Sequence, residues 1–380
     1  MKMLTAYTCE IDDVEVAVSE ILSMLDLGNN CLKNSMGIIN CYSEFIESGV
    51  VAAVCDALPF DVIGCSSINC ATNGIADMLS LTVSVLTSDD ASFSCALTTS
   101  VSDDISVIRQ KYAEILSAAG GDVKMTLTYL PMILDVGAEI MLAEFDSVSP
   151  KMPVFGTICC DHLENYGSSV VIYNGEAYRT SVAMALISGN VNPKFSIASI
   201  PETKLQKQRA VITSVSGGFL REINNRRAAD FFKELGIDLS DENTDVNAIP
   251  FIVDYKDGTP PVARAMYLAN NEGISCGGNI PVGATLAVGS IDANAVIETA
   301  ASAAEAVAKT AESCVLIFTC YARILTLGEN PHREFEILAK TLGDLPYQVC
   351  YSLGEICPLY NADNDTINKF HNYTMISCTF

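Results

Sequence analysis

One short phrase recurs along the chain at a nearly fixed interval. A helical or apolar stretch ends, a proline follows, and a strand-like run begins. The four copies are Leu58-Pro59-Phe60-Asp61-Val62-Ile63-Gly64, Met152-Pro153-Val154-Phe155-Gly156, Ile249-Pro250-Phe251-Ile252-Val253-Asp254 and Leu345-Pro346-Tyr347-Gln348-Val349-Cys350. The prolines at 59, 153, 250 and 346 stand 94, 97 and 96 residues apart. Solenoid repeats run at roughly 20–50 residues, so each step suits a small α/β unit instead. The flanks agree. Before the prolines stand a strand candidate and then a helix candidate: Gly37–Tyr42 and Gly49–Ala57, Val123–Tyr129 and Leu134–Glu144, Ala210–Val215 and Arg227–Leu235, Cys314–Cys320 and Glu334–Leu342. After them come β-rich runs such as Leu79–Leu86 and Tyr178–Ile187.

Local signals sharpen this pattern. Asn174-Gly175 and Asn224-Asn225 are turn pairs that tolerate positive φ and predict hairpins. Acids precede three helix candidates: Asp12-Asp13 before Val14–Leu25, Asp103-Asp104 before Ile105–Ala118, and Asp292 before Val296–Ala311. A carboxylate there satisfies free amides and opposes the helix dipole. The third unit has instead a polar, proline-containing stretch, Asn190–Gln208, expected to link two halves. The expected organisation is two domains, 1–195 and 196–380, each of two units. Alternating apolar strands and Ala-rich helices give an α/β (α+β) fold of mixed, largely antiparallel sheets layered with helices, in pseudo-symmetric repeated units.

Composition narrows the function classes. The net charge is −24, which repels phosphate backbones and excludes nucleic acid as an expected partner. A mean hydropathy of +0.30 raises the question of a membrane. The longest uncharged stretch, Gly273–Ile291, holds five glycines and a proline and does not make a spanning helix. The first residues, Met1-Lys2-Met3-Leu4-Thr5, carry no apolar secretion segment, so a cytoplasmic location without membrane insertion is expected. Fifteen cysteines are an odd number, and no Cys-x-x-Cys occurs. Reduced thiols packed as small hydrophobes are expected, with no metal site.

The usual catalytic patterns are missing: neither a phosphate-binding Gly-x-x-x-x-Gly-Lys loop nor a Gly-x-Ser-x-Gly elbow occurs. What remains is a set of small polar residues following the proline-led strands. These are Gly64, Cys65, Ser66 and Ser67, then Gly156 with Asp161, then Gly354 and Glu355. Glycine lets backbone approach a ligand closely, Ser and Cys line a small pocket, and a carboxylate pairs an amine. Ordinary turn chemistry accounts for the same residues equally simply. A hydrolase or transferase using Cys65 or a serine as nucleophile is a further class, for which no neighbouring histidine supplies a base.

At these residues the chain resembles the FIST family, the paired FIST N and FIST C sensory domains. The likeness rests on Pro59 to Ser67, on Pro153-Val154-Phe155-Gly156 with Asp161, and on Val211-Ile212-Thr213. It continues in Tyr351-Ser352-Leu353-Gly354-Glu355-Ile356-Cys357-Pro358-Leu359 and the ending Phe370-His371-Asn372-Tyr373-Thr374. Thr157-Ile158-Cys159-Cys160 departs from the pattern, where relatives are more often glycine-rich. The resemblance implies a non-enzymatic sensor that binds small molecules, amino acids or related metabolites among them, with Asn372 added to the site. It also implies output through a separate signalling kinase or chemotaxis protein. A subset of the family is described as haem-binding nitric-oxide sensors. With three histidines and few aromatics here, the expectation is no cofactor, with haem the alternative.

Overall fold

A computed structural model of the chain describes all residues except 77–78, 134, 163–167, 217, 240, 242–243, 245 and 271–272, and describes 247, 268 and 270 without their side chains. Leu134, the expected first residue of a helix, therefore lies outside the described residues. That helix is seen as Ala138–Val148.

The chain builds the same arrangement three times. The first unit is β1 (Lys2–Thr8), α1 (Val14–Leu25), α2 (Leu27–Asn30), β2 (Asn34–Cys41), α3 (Ser43–Glu47), α4 (Val50–Asp56), β3 (Val62–Ser66), β4 (Cys70–Thr72) and β5 (Leu81–Ser88). The second is β6 (Ala91–Leu97), α5 (Val107–Ala119), β7 (Val123–Leu130), α6 (Ala138–Val148), β8 (Val154–Ile158), the hairpin β9 (Val171–Tyr173) and β10 (Glu176–Tyr178), and β11 (Ala183–Gly189). The third opens with β12 (Lys194–Ala198) and is then interrupted. The interruption holds β13 (Ala210–Ser216), β14 (Phe219–Ile223), β15 (Arg226–Arg227), α7 (Ala228–Glu234), β16 (Phe251–Asp254), β17 (Val262–Arg264), β18 (Met266–Asn270), β19 (Gly273–Cys276) and β20 (Thr285–Val288). The third unit then resumes with α8 (Ala293–Thr310), β21 (Val315–Cys320), α9 (Tyr321–Leu327), α10 (Arg333–Leu342), β22 (Tyr347–Ser352), β23 (Glu355–Tyr360), β24 (Thr366–His371) and β25 (Met375–Thr379).

Pairing shows the equivalence. The sheets run β1-β5-β2-β3, β6-β11-β7-β8 and β12-β25-β21-β22. In each, the last two strands are parallel and joined by helices, while the others pair antiparallel. Each unit also lends a strand to another. β9 of the second unit pairs with β3, β23 of the third pairs with β8, and β4 of the first pairs with β22. The exchange is cyclic and locks the three units together. One face of each sheet contributes to a shared core: Ile38, Ile63 and Cys65 from the first, Leu127, Tyr129 and Phe155 from the second, Leu316, Phe318 and Cys350 from the third. The opposite faces pack on helices, with α1, α3 and α4, then α5 and α6, then α8, α9 and α10 covering them in turn.

Pro153, Pro250 and Pro346 each immediately precede a strand, and Pro59 stands three residues before β3. Three of the four open the second strand of a parallel pair; Pro250 does not. It opens β16, which pairs antiparallel with β17 and β20 inside the inserted sheet. The insertion is close in length to one repeat, so the spacing imitated a fourth unit. The expected linker, Asn190–Gln208, likewise contains a strand: β12 pairs with β25 from Lys194↔Thr379 to Ala198↔Met375. Its short Lys-Phe-Ser-Ile-Ala alternation was masked by the polar residues around it.

The turn and cap signals are realised in part. Asn174 and Gly175 have φ of 48° and 84° between β9 and β10, and Asn224 and Asn225 have φ of 51° and 59° between β14 and β15. Asp13 caps α1 at the Val16 amide, 3.1 Å away, and Asp292 caps α8 at the Ala295 amide, 2.8 Å away. Asp104 instead accepts from the amide and hydroxyl of Ser106, both 2.9 Å. That turn delays the α5 start to Val107. All fifteen cysteines are free, and eleven are buried, where they fill the core as small apolar groups. Among the described residues, no helix is long and apolar enough to cross a membrane.

Candidate ligand-binding site

The parallel pairs end at a common rim, where the exchanged strands begin. Three equivalent backbone bonds build it, each 3.0 Å long: Ser66 N–H to Val170 O, Ile158 N–H to Gly354 O, and Tyr351 N–H to Asn69 O. Further bonds tighten it, from Cys160 N–H to Ser66 O at 3.2 Å and from Leu353 N–H to Ile158 O at 3.2 Å. Ligands of α/β sheets commonly sit outside the carboxyl ends of parallel strands. The sequence-selected residues Ser66, Ser67, Gly354 and Glu355 are thus brought to one place.

The first residues of the three exchanged strands are Cys70, Val171 and Glu355. They face Cys350, Cys65 and Thr157 on the strands they join. Only one of these equivalent positions carries a charge. Glu355 is fully buried. Its Oε1 accepts from Ser352 Oγ at 2.7 Å and its Oε2 from Thr374 Oγ1 at 2.6 Å. Burial pushes its carboxyl up to about 8, against the opposing pull of those two hydroxyls and of the Arg323 guanidinium. Arg323 is itself committed. Its Nε and Nη2 donate to Glu334 Oε1 at 2.9 and 2.6 Å, and Tyr351 Oη donates to Glu334 Oε2 at 2.7 Å. Both partners of that ion pair are buried. Among the described residues, Glu355 has hydroxyl partners and no ion-pair partner.

The other candidates divide. Gly64 and Gly156 lie inside β3 and β8, where an added Cβ would stand 1.7 Å from Ile39 O and 2.0 Å from Thr128 O. The neighbouring parallel strand, not a ligand, makes the close approach there. A Cβ on Gly354 would stand 2.2 Å from the Phe370 ring, so glycine is needed for β24 to pack. Cys65 is buried and its thiol is pushed well up by desolvation. Ser67 Oγ donates to the backbone oxygens of Asn69 and Tyr351, at 2.8 and 2.9 Å. Asp161 is buried but turns toward the first unit: its Oδ1 accepts from His162 N–H at 2.7 Å and Ser43 Oγ at 3.3 Å. No described hydrogen bond joins Asp161 to Glu355. Asn372 ties the inserted sheet to the rim, its Oδ1 accepting from Ala265 N–H at 3.2 Å. Arg264, also buried, fastens the same junction to Glu139 and Tyr255 at 2.7 and 2.8 Å and to Phe370 O.

Sequence reading missed the groups that give Glu355 its setting. Thr374 bonds the carboxylate and also lines a cavity of about 360 Å³ between β12, β17, β23 and β24. His371 lines the same cavity, with Nε2 3.1 Å from Cys357 O. Burial lowers the His371 ring to about 3. Both residues lie in the ending that carried the family likeness; their meeting with Phe195, Ser199 and Val262 had no local signal.

Comparison with known families decides the relationship. The FIST N domain matches residues 35–226 and the FIST C domain matches residues 228–358. The chain belongs to the FIST family. FIST domains are sensory domains of signal transduction. The FIST N match begins in β2, covers the rest of the first two units and β12 and enters the insertion, and the FIST C match covers most of the insertion and runs on through the third unit into β23. No curated protein matches the FIST chain described here. Among solved structures, a cyanuric acid hydrolase from A. caulinodans is similar at a TM-score of 0.35 and 9% identity, over 100% of this chain and 98% of that one. Among the described residues, no group of three or more His, Cys, Asp or Glu side chains could hold a metal ion.

Proposed function

We propose that this FIST chain is a cytoplasmic small-ligand sensor that recognises a basic ligand through Glu355 and passes the signal to a separate kinase or chemotaxis protein. The carrying observation is one buried carboxylate at the rim, satisfied by two hydroxyls and lacking a cation. Burial keeps the unpaired acid protonated up to about 8, and an ammonium group supplies the partner that lets it ionise. A catalytic reading finds less support. The thiol of Cys65 is desolvated, and Ser67 Oγ is engaged with two backbone oxygens.

The haem reading is also poorly supported by these residues. His371 Nε2 is held against Cys357 O, and among the described residues no Arg or Lys lines the adjoining cavity to pair with propionates. The charge of −24 favours a cationic ligand over nucleic acid or other anions.

Calorimetric titration with small primary amines tests the reading. The wild-type chain should bind at least one amine saturably. Glu355→Gln should lose about 2–5 kcal/mol of that binding while keeping its fold by circular dichroism. Equal affinity in a folded variant would contradict the proposal.

A further inference from the structure

We propose that the ligand rests in the cavity between β12, β17, β23 and β24, and that it is a compact organic monocation: an amine with an apolar body and no carboxylate. This rests on the reading of Glu355 as the recognition acid, and adds where the ligand sits and what it is.

The cavity measures about 360 Å³, near the lower end of small-molecule sites. Its walls are apolar, with Phe195, Ile197, Pro261, Val262, Leu359 and Tyr360 among them. Its polar lining residues are Ser196, which is bonded to Ser377 at 2.6 Å, and Ser199, His371 and Thr374. A carbonyl only accepts, so the His371 Nε2 facing Cys357 O carries the proton. A neutral ring then leaves Nδ1 as a lone-pair acceptor. Thr374 donates its hydroxyl hydrogen to Glu355 Oε2, and its oxygen retains acceptor capacity. Ser199 Oγ is buried with no hydrogen-bond partner among the described residues. Imidazole and hydroxyl acceptors of this kind suit the hydrogens of an ammonium group. The counter-charge, Glu355, stands directly behind Thr374.

The same lining argues against an amino acid. Among the described residues, no Arg or Lys contributes to the cavity. The cations near His371 are committed elsewhere, Arg264 to Glu139 at 2.7 Å and Lys369 to Asp257. A ligand carboxylate would be buried without a partner, which is costly. The cavity lies between β12 and β23, strands of two different sheets, and β17 of the inserted sheet closes it. Occupancy therefore bears on the junction of all three.

Benzylamine is the probe, with benzyl alcohol as its neutral counterpart and phenylglycine as its zwitterionic one. Binding is read by saturation-transfer NMR and calorimetry. Benzylamine should bind saturably with one site per chain, and the other two should bind at least about tenfold more weakly. Ser199→Phe places a ring into the cavity from a segment outside any strand, and Thr374→Val removes the link to Glu355. Each should weaken benzylamine about tenfold or more in a variant whose fold is confirmed by circular dichroism. Leu359→Ala gives a second reading should Ser199→Phe fail to fold: it enlarges the cavity and should shift preference toward naphthylmethylamine. Benzylamine binding lost in Glu355→Gln but unchanged in Ser199→Phe and Leu359→Ala would overturn the cavity assignment and leave the Glu355 reading standing. Binding lost in Ser199→Phe but unchanged in Glu355→Gln would overturn the Glu355 reading and leave the cavity assignment standing. Phenylglycine binding as well as benzylamine would overturn the ligand class.

Discussion

The buried acid at the rim makes stability depend on pH in a direction opposite to that of a paired carboxylate. Glu355 titrates near 8 in the folded chain, raised from 4.5 chiefly by desolvation. In the unfolded chain it titrates as an ordinary Glu, so between these values the folded state holds the extra proton. Stability therefore falls as pH rises through this window. It is fully present below about pH 4.5 and lost progressively up to about 8. Three and a half pH units at ~1.4 kcal/mol each set an upper figure of about 5 kcal/mol. The groups around Glu355 include Ser352, Thr374 and Arg323, which favour its charge, the thiols of Cys320, Cys350 and Cys357 and the Tyr267 hydroxyl, all pushed up by burial, and the cross-strand neighbour His371, whose ring burial keeps neutral. Glu355→Gln removes the titrating group and keeps a polar side chain for the two hydroxyls. Urea unfolding of both proteins from pH 5 to 9 reads the difference. The variant should gain on the wild type as pH rises, by several kcal/mol at pH 9. Parallel stability curves across that range would refute the assignment of a desolvated, unpaired acid.

Two further outcomes follow from the packing. Arg323→Met strands Glu334 in the core and should cost about 3–5 kcal/mol of stability, measured by urea midpoint at constant slope. Gly64→Ala and Gly156→Ala each force a methyl against a neighbouring carbonyl oxygen. Both should destabilise by about 1–3 kcal/mol or more; a neutral result at either position would restore it as a candidate ligand contact.

The fold was legible where local physics is strong. Period-2 apolar runs gave most strands, the Asn-containing pairs gave both hairpins, and Asp13 and Asp292 gave true caps. The proline phrase located the entry to every parallel pair, because chain leaving a covering helix must turn before rejoining the sheet. It failed at Pro250, where an insertion of nearly one repeat length counterfeited a unit, and at β12, whose five residues are too few to show a period. The site was legible only as chemistry. Glu355 stood out as an acid beside glycine, but its isolation depends on Cys70 and Val171 occupying the equivalent places, which only the cyclic strand exchange reveals. Gly64 and Gly156 misled because a close backbone neighbour and a close ligand make the same demand on a residue. The cavity joins residues from 195 to 374, and no sequence window contains it.

The most direct measurement is native mass spectrometry of the full chain as purified, with the bound molecule released and identified. A low-mass organic base, present in the wild type and absent from folded Glu355→Gln, is the expected result. An anionic metabolite or haem retained equally by both proteins would contradict the reading of Glu355 as the recognition group.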